Sequence, residues 1–334
     1  MPRWSVVATV DEPPALVQTF VAWHLHLGAE RVYLYCDNPD DPVAALLADL
    51  PQVQVVTCDA AHWLRLGKSR PRRHEVRQVR NARDAYARCT SDWLIHVDAD
   101  EFLWPRADIA ELLAALEPEA DAAVIQVAER VHLPDDPGLT VFEGAFRRPF
   151  HSPPSKGERI FGPDYALSNK GLYGHSNGKA FVRVGRKLSM SIHRPQPAKD
   201  AADLVLARPA PDAIELLHFD GLTPTYWVYK LARMQRALVK HDGMPLSAQR
   251  RAQADALMAD PEGADALYDR LKVARGDLAM LLQRHGLWSA PAFDPGPALA
   301  AAFPDARIDL SPAALDAWLA ANKPQVIPFL WQHR

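Results

Sequence analysis

The first hundred residues alternate between short apolar strands and helical segments, and this alternation constrains the fold more than any other feature of the sequence. The strand-like runs are Trp4–Val10, Arg31–Cys36, Val53–Thr57 and Trp93–Val97, and the longest helical segment is His74–Cys89. Such alternation predicts an α/β fold with a mostly parallel central sheet covered by helices. Sheets of this kind bind ligands at the carboxyl ends of their strands.

The rest of the chain shows a different pattern. Residues 130–178 are rich in Pro, Gly and Ser with little periodicity, which predicts long loops over a site. Three short strands are predicted after them, at Lys179–Val184, Leu188–His193 and Ile214–His218. After Pro224 the apolar residues recur at helical spacing, so the C-terminal part is expected to be helical.

Charge and cysteine content narrow the class of protein. The net charge is −3, so no global basic field points to nucleic acid as a partner. The three cysteines form no C-x-x-C pair, which favours reduced thiols in the cytoplasm. No run approaches the roughly 20 apolar residues of a membrane span. We expect a cytoplasmic protein whose contact with the inner face of a membrane, if any, is peripheral.

The most informative motif is an apolar strand that runs directly into three carboxylates, Asp98, Asp100 and Glu101. In an extended chain, side chains at i and i+2 point to the same side, so Asp98 and Asp100 are expected to converge. Converging carboxylates repel unless a cation lies between them, and hard oxygen ligands favour Mg²⁺ or Mn²⁺. The alternative is an acidic turn that caps the helix expected near Ala107.

These motifs resemble a known family. The strand followed by DADEFL and the N-terminal VDEPPALVQTFVAWHLHLGAERVYLYCDNPDD are similar to family-2-type glycosyltransferases, in particular the branch related to family 92. The resemblance covers residues 5–103 and resumes at GKAFVRV and LLHFDGLTPTYWVYKLAR. It implies a GT-A (Rossmann-like) nucleotide-diphospho-sugar transferase fold. It further implies transfer from a nucleotide-sugar to a glycan, lipid-linked or other hydroxyl acceptor with inversion. UDP is the expected nucleotide, and GDP is the alternative.

The resemblance also implies an organisation and a metal site. We expect a catalytic domain over residues 1–223, with a nucleotide-binding half (1–103) and an acceptor-side half (104–223), and a helical region over 224–334. In the family the D-x-D motif binds Mn²⁺ or Mg²⁺ and the donor diphosphate, a role that falls on Asp98 and Asp100. Glu101 is expected to orient its neighbours. His218 matches a family histidine and is expected to be a third ligand, or else a locally hydrogen-bonded side chain.

The donor nucleotide is expected at the ends of the first two strands. Asp37 and Asn38 occupy the position at which the family binds the base of the donor nucleotide. An Asx turn beside the prolines is an equally favoured alternative for these two residues. Thr9 and Glu12, at the end of the first strand, are candidates on the same basis.

A basic segment precedes the carboxylate motif. It comprises Arg65, Lys68, Arg70, Arg72, Arg73, Arg77, Arg80 and Arg83. Most of these side chains suit a solvated face, or a surface that attracts an anionic acceptor or membrane. The family places this helix close to the diphosphate, so one or two of Arg77, Arg80 and Arg83 are expected to bind it.

Inverting transfer requires a carboxylate that takes the proton of the acceptor hydroxyl. Glu143 is the first choice, because it matches a family Glu-Arg stretch, and Glu129 and Asp220 remain open. Each of the three could instead be a surface carboxylate.

The sequence also bears on three other classes of function. The first hundred residues contain only Gly28 and Gly67, so the glycine-rich turn of a nicotinamide-dependent oxidoreductase is absent. A metal-dependent phosphohydrolase acting on a nucleotide or sugar phosphate remains open, as does a catalytically silent sugar-binding protein.

Overall fold

The structure is a computed structural model that describes residues 1–67, 69–199, 202–241 and 247–328, so Lys68 of the basic segment lies outside the described residues. The strands are β1 Trp4–Val10, β2 Arg31–Cys36, β3 Val53–Thr57, β4 Trp93–His96, β5 Glu101–Pro105, β6 Ala122–Ile125, β7 Val127–Val131, β8 Ala145–Arg147, β9 Lys179–Arg183, β10 Leu188–Ser189, β11 Gln196–Pro197, β12 Leu206–Ala207, β13 Ile214–His218 and β14 Trp288–Ser289. The helices are α1 Pro14–His26, α2 Val43–Leu46, α3 Ala60–Arg65, α4 His74–Arg88, α5 Ile109–Ala114, α6 Pro154–Phe161, α7 Pro224–His241, α8 Ala248–Ala259, α9 Ala264–Lys272, α10 Leu278–Arg284, α11 Gly296–Ala302 and α12 Pro312–Asn322, with a 3₁₀ helix at Pro163–Leu167.

The chain divides into two compact units whose segments are interleaved in sequence. Unit 1 comprises Met1–Gln126, Asn177–Leu216 and Pro295–Arg307, and unit 2 comprises Val127–Ser176, Leu217–Asp294 and Ile308–Arg334. The functional division expected at residue 223 stays a prediction.

Unit 1 is built on a seven-stranded sheet in the order β12-β6-β9-β4-β1-β2-β3. Strands β1, β2, β3 and β4 run parallel to one another, and β9 is antiparallel to both β4 and β6. All seven residues of β1 are buried, as expected for a central strand covered on both faces. The prediction of an α/β fold with a mostly parallel central sheet is confirmed.

Proline and glycine mark the helix boundaries where the sequence predicted them. Helix α1 begins at Pro14. Proline lacks a backbone N–H, but an N–H in the first turn of a helix has no acceptor within the helix, so proline costs nothing there. The chain leaves it through Gly28 at φ +91°, a left-handed conformation that favours glycine. At α12, the Ser311 hydroxyl accepts a hydrogen bond from the N–H of Ala314 at 3.2 Å, as an N-cap does.

Two predictions about the middle of the chain are wrong. Residues 130–178 are not only loops, because β8, α6 and the 3₁₀ helix lie within them and are too short to show a period. The strand expected over Leu188–His193 covers only Leu188–Ser189 in the structure. Its partner β11 is two residues long and includes Pro197, which has no N–H to extend the ladder.

Unit 2 combines an antiparallel sheet with helices. Strand β8 pairs with β7 on one side and β14 on the other. Helices α7, α8 and α9 pack around a core that includes Trp227, Leu231, Leu257 and Leu271, which confirms the expected helical C-terminal region. Within the described ranges, none of the helices has the length and apolar composition needed to cross a bilayer.

Candidate active site

The ends of β1, β2 and β4 lie side by side at one edge of the unit 1 sheet. The N–H of Asp37, just after β2, donates to the carbonyl of Val10 at the end of β1 at 2.8 Å. The N–H of Val97, just after β4, donates to the carbonyl of Val7 in β1 at 3.1 Å. The polar residues that follow these strands therefore share the edge at which parallel sheets bind ligands.

Asp37 is a buried carboxylate held by basic side chains. Its side chain is 5% exposed, and Arg77 binds it in bidentate fashion, with Nε donating to Oδ1 and Nη2 to Oδ2, both at 2.6 Å. Arg70 adds a contact at 3.0 Å. Burial raises the pKa of the Asp37 carboxyl, but hydrogen bonds from His74 and Arg77 outweigh it and hold that pKa well below its ordinary range. Asp37 is therefore a fixed anion, and Arg77 is the side chain that fixes it.

The other residues expected around the base have local partners. Asn38 is exposed, and its Oδ1 accepts from the N–H of Asp40 at 3.2 Å, as in the Asx turn considered above. The buried Thr9 hydroxyl accepts from Asn81 Nδ2 at 3.0 Å. Glu12 Oε2 accepts from the N–H of the preceding residue at 2.8 Å. The base-reading roles of Asp37, Asn38, Thr9 and Glu12 stay predictions.

Helix α4 ties these strand ends together. Arg77 contacts Asp37 after β2, and its neighbour Gln78 donates from Nε2 to Asp98 Oδ1 at 2.7 Å after β4. One turn later, Asn81 reaches Thr9 in β1. Sequence reasoning missed Gln78 and Asn81, since neither side chain stands out without its distant partner. The start of α4 thus bridges the edge at which both groups of predicted donor-binding residues lie.

The acidic motif is a tight turn and not an extended strand. Strand β4 ends at His96, and the N–H of Glu101 donates to the carbonyl of Asp98 at 2.9 Å. In return, Glu101 Oε2 accepts from the N–H of Asp98 at 2.8 Å. The prediction that this segment is extended is therefore wrong, and the joint metal role of Asp98 and Asp100 stays a prediction. The expectation that Glu101 orients its neighbours is confirmed, since its carboxylate closes the turn.

A buried lysine lies against this turn. Lys179, the first residue of β9, is 0% exposed, and its Nζ lies 2.6 Å from Asp98 Oδ2 and 3.2 Å from Glu101 Oε2. Burial lowers the pKa of Lys179, but the charges of Asp98 and Glu101 raise it above its ordinary value, so the ammonium persists. Gly178 adopts φ +68°, and a Cβ there would overlap the carbonyl oxygen of Ile125. Sequence reasoning marked GKAFVRV only as a resemblance and missed this contact.

The three arginines predicted to bind diphosphate differ in their surroundings. Arg77 is committed to Asp37, and Arg83 is exposed, with Nε donating to the carbonyl of Met190 at 3.1 Å. Arg80 is half-buried, and its Nη1 is buried without a hydrogen-bond acceptor among the residues that the structure describes. A buried guanidinium N–H of this kind suits an anionic ligand.

Glu129, one of the predicted bases, is enclosed in unit 2. It is 0% exposed and accepts from Arg147 Nη2 at 2.6 Å and from the N–H groups of Tyr173 at 2.9 Å and Gly174. Lys272 lies 3.4 Å away. Burial raises the pKa of Glu129, but Lys272 and Arg147 lower it more, so the carboxylate stays ionised.

The other two predicted bases are also engaged within unit 2. Asp220 is 0% exposed and accepts from Arg250 at 2.5 Å and Lys272 at 2.6 Å, which hold its pKa below the ordinary range against the effect of burial. The partly exposed Glu143 accepts from the N–H groups of residues 138–140 at 2.6 to 3.2 Å, which closes its own loop. A base must reach the acceptor hydroxyl, so these contacts do not favour any of the three, and their roles stay predictions.

His218, the predicted third ligand, lies in unit 2 against a second histidine. It is 3% exposed, and its ring centroid is 4.8 Å from that of His175. Gly174 leaves no space beside it, because a Cβ there would meet both the Glu129 carboxylate and the His218 ring at 2.8 Å. The ligand role of His218 stays a prediction.

The acidic turn has the donor chemistry that a divalent metal requires. Asp98 is 30% exposed at its side chain, and its carboxylate accepts from Gln78 and Lys179. Asp100, two residues on, supplies a second carboxylate. Such oxygen ligands suit Mg²⁺ or Mn²⁺, so the residues fit the predicted metal.

Comparison with known proteins adds little to this geometry. The sequence matches no protein-family model and no curated protein. Among solved structures, HddC from Yersinia pseudotuberculosis is 12% identical, with 63% of this chain and 90% of that chain covered and a TM-score of 0.33. Glucosyl-3-phosphoglycerate synthase from Mycobacterium tuberculosis, in complex with Mn²⁺, uridine diphosphate and phosphoglyceric acid, is 11% identical, with 55% and 56% covered and a TM-score of 0.29. At these TM-scores the likeness carries no weight in assigning a function.

Proposed function

We propose that this chain is a glycosyltransferase that moves a sugar from a nucleotide-sugar to a hydroxyl acceptor, with Mn²⁺ or Mg²⁺ at the acidic turn. The observation that supports it most is the position of α4. Through Arg77 and Gln78, the helix contacts a fixed anion after β2 and the carboxylate turn after β4. The two ends of a nucleoside diphosphate require such a pair of polar sites along one edge of a parallel sheet.

The residues at this edge of the sheet then have separate roles in donor binding. Asp37, held ionised by Arg77, accepts hydrogen bonds from the donor nucleoside, and UDP is the nucleotide we propose. Because Arg77 is committed to Asp37, the diphosphate contact falls to Arg80. Glu101 keeps the turn closed, and Gln78 orients the Asp98 carboxylate.

The metal would be held by the carboxylates of Asp98 and Asp100. When bound, it supplies Lewis acidity that stabilises negative charge on the leaving nucleoside diphosphate. We further propose that the transfer inverts the anomeric centre and that the acceptor is a glycan or a lipid-linked hydroxyl, reached in the cytoplasm. Of the predicted bases, Glu143 is the one we retain, because it is the one with partial exposure.

The first test is binding of UDP with and without metal. We expect UDP affinity to fall about tenfold or more in EDTA relative to Mn²⁺, because the acidic turn would otherwise face a diphosphate of like charge. Isothermal calorimetry in both buffers measures this, with GDP and CDP as comparison nucleotides. Equal UDP affinity in EDTA and Mn²⁺ would contradict the metal-dependent proposal.

Activity assays on the wild-type protein distinguish the competing functions. A phosphohydrolase would release inorganic phosphate from sugar phosphates or nucleotides, and a silent sugar-binding protein would bind a sugar without turnover. Release of UDP from a UDP-sugar in the presence of an acceptor is the outcome that the proposal requires.

The second test concerns Arg80. We expect Arg80→Ala to weaken UDP binding about tenfold, the effect of losing one charge-assisted hydrogen bond, while the melting temperature changes by less than about 2 °C. Arg83→Ala, an exposed arginine on the same helix, is the matched control and should leave UDP affinity unchanged. If both variants bind UDP as the wild type does, the basic helix is a solvated face.

A further inference from the structure

The acidic turn of unit 1 contains its own positive charge. Asp98, Asp100 and Glu101 place three carboxylates within four residues. Lys179 enters from β9, 81 positions along the chain from Asp98, and its ammonium contacts two of the three, at 2.6 and 3.2 Å. Lys179 and Glu101 are both 0% exposed, so water contributes little to screening that pair, whereas Asp98 is 30% exposed.

We propose that Lys179 is a built-in counter-charge that keeps the turn from binding a divalent cation alone, so that the metal is held only together with a nucleoside diphosphate. This inference rests on the proposed function, since it concerns the same metal and donor. It assigns to Lys179 a positioning role: it acts through Asp98 and Glu101 and does not itself contact the sugar.

A metal held by Asp98 shares that carboxylate with the Lys179 ammonium, and two cations on one anion repel each other. A bound diphosphate adds negative charge beside the turn. This charge compensates for the positive charge of Lys179, so the metal can then bind. Metal and nucleotide therefore raise each other's affinity by the same factor, as thermodynamic linkage requires.

A purely structural role for Lys179 leads to a different expected change in metal affinity. If Lys179 only fills space and holds the turn, a neutral side chain of similar length should leave affinity for free metal unchanged or lower it, because the turn is less ordered. If it is a counter-charge, removing it leaves three carboxylates with one cation fewer, and free metal should bind more tightly. The sign of the change separates the two roles.

The experiment titrates Mn²⁺ alone into the wild type and into Lys179→Met, with electron paramagnetic resonance to count the bound ion. We expect wild-type affinity for Mn²⁺ to be at least about tenfold weaker without UDP than with it, and Lys179→Met to tighten binding of Mn²⁺ alone about tenfold. Lys187→Met, an exposed lysine of the same unit, is the control and should change neither value. The double variant Lys179→Met/Asp98→Asn should lose the gain.

Two outcomes would overturn the inference. One is equal wild-type affinity for Mn²⁺ with and without bound UDP, which needs no variant. The other is a folded Lys179→Met that binds Mn²⁺ no better than the wild type. A variant that melts cooperatively only when Mn²⁺ is present supports the inference, since the metal then replaces the missing charge. If UDP does not bind the wild type at all, the proposed function fails, while the Mn²⁺ titrations of Lys179→Met still decide the role of the lysine.

Discussion

Replacing Asp100 with Asn is expected to reduce sugar transfer by about a hundredfold or more, the several kcal/mol that a Lewis-acid metal supplies. The substitution keeps the size of the side chain and removes the charge that should hold the cation. The Asp98 carboxylate accepts hydrogen bonds from Gln78 and Lys179 at the turn. Its loss would disturb the turn as well as the metal.

The measurement is UDP release from a UDP-sugar, together with a thermal melt that shows a cooperative fold. Asp49→Asn, an exposed aspartate of the same unit, is the matched control and should retain full turnover. If Asp100→Asn turns over within about threefold of the wild type, the effect is far below the size expected from loss of a metal ligand. The segment would then be the acidic turn that the sequence also allowed.

The fold of the first hundred residues could be predicted because its signals are local. Strands β1, β2 and β3 have the predicted bounds, since β-branched and aromatic residues fill each run and turn residues flank it. The wrong strand end at Val97 also has a local cause, the hydrogen bond by which Glu101 closes a turn on Asp98. Apolar pattern alone does not report that bond.

The site could be predicted only where its residues are adjacent in sequence. Asp98 and Asp100 stand together, so their chemistry is visible without a structure. Lys179 and Asp98 are 81 residues apart, and their contact depends on β9 being inserted antiparallel beside β4. Strand order of this kind is fixed by packing of the whole sheet, and the alternation of strands and helices does not reveal it.

Unit 2 also contains contacts that could not be predicted from the sequence. The region around Glu129 lacks periodicity and suggests loops, yet it contains a buried group of charges that includes Arg147 and Lys272. A charged residue in an irregular segment is normally exposed, so the sequence gives no sign of this burial. The pairing of Glu129 with two cations depends on β8 and α9, which are distant from each other in sequence.

Arg77→Ala should destabilise the fold by about 3 kcal/mol, because removing one partner of a buried ion pair leaves the other charge uncompensated. Both side chains are nearly enclosed, with exposed fractions of 10% for Arg77 and 5% for Asp37. Arg77 also donates from Nη1 to the carbonyls of Pro71 and Arg72, at 3.0 and 2.8 Å, which fixes the loop before α4. Its main role is therefore to hold the edge of the sheet, in addition to any effect on the donor.

Urea unfolding measures the change, with Arg73→Ala as the matched control. Arg73 is 30% exposed at its side chain and lies 3.8 Å from an exposed glutamate, so its loss should change stability by less than about 1 kcal/mol. The double variant Asp37→Ala/Arg77→Ala should be destabilised less than the sum of the two single variants, since it leaves no buried charge unpaired. If Arg77→Ala unfolds at the wild-type urea concentration but loses UDP affinity, Arg77 is a direct phosphate ligand. The assignment of that role to Arg80 would then be wrong.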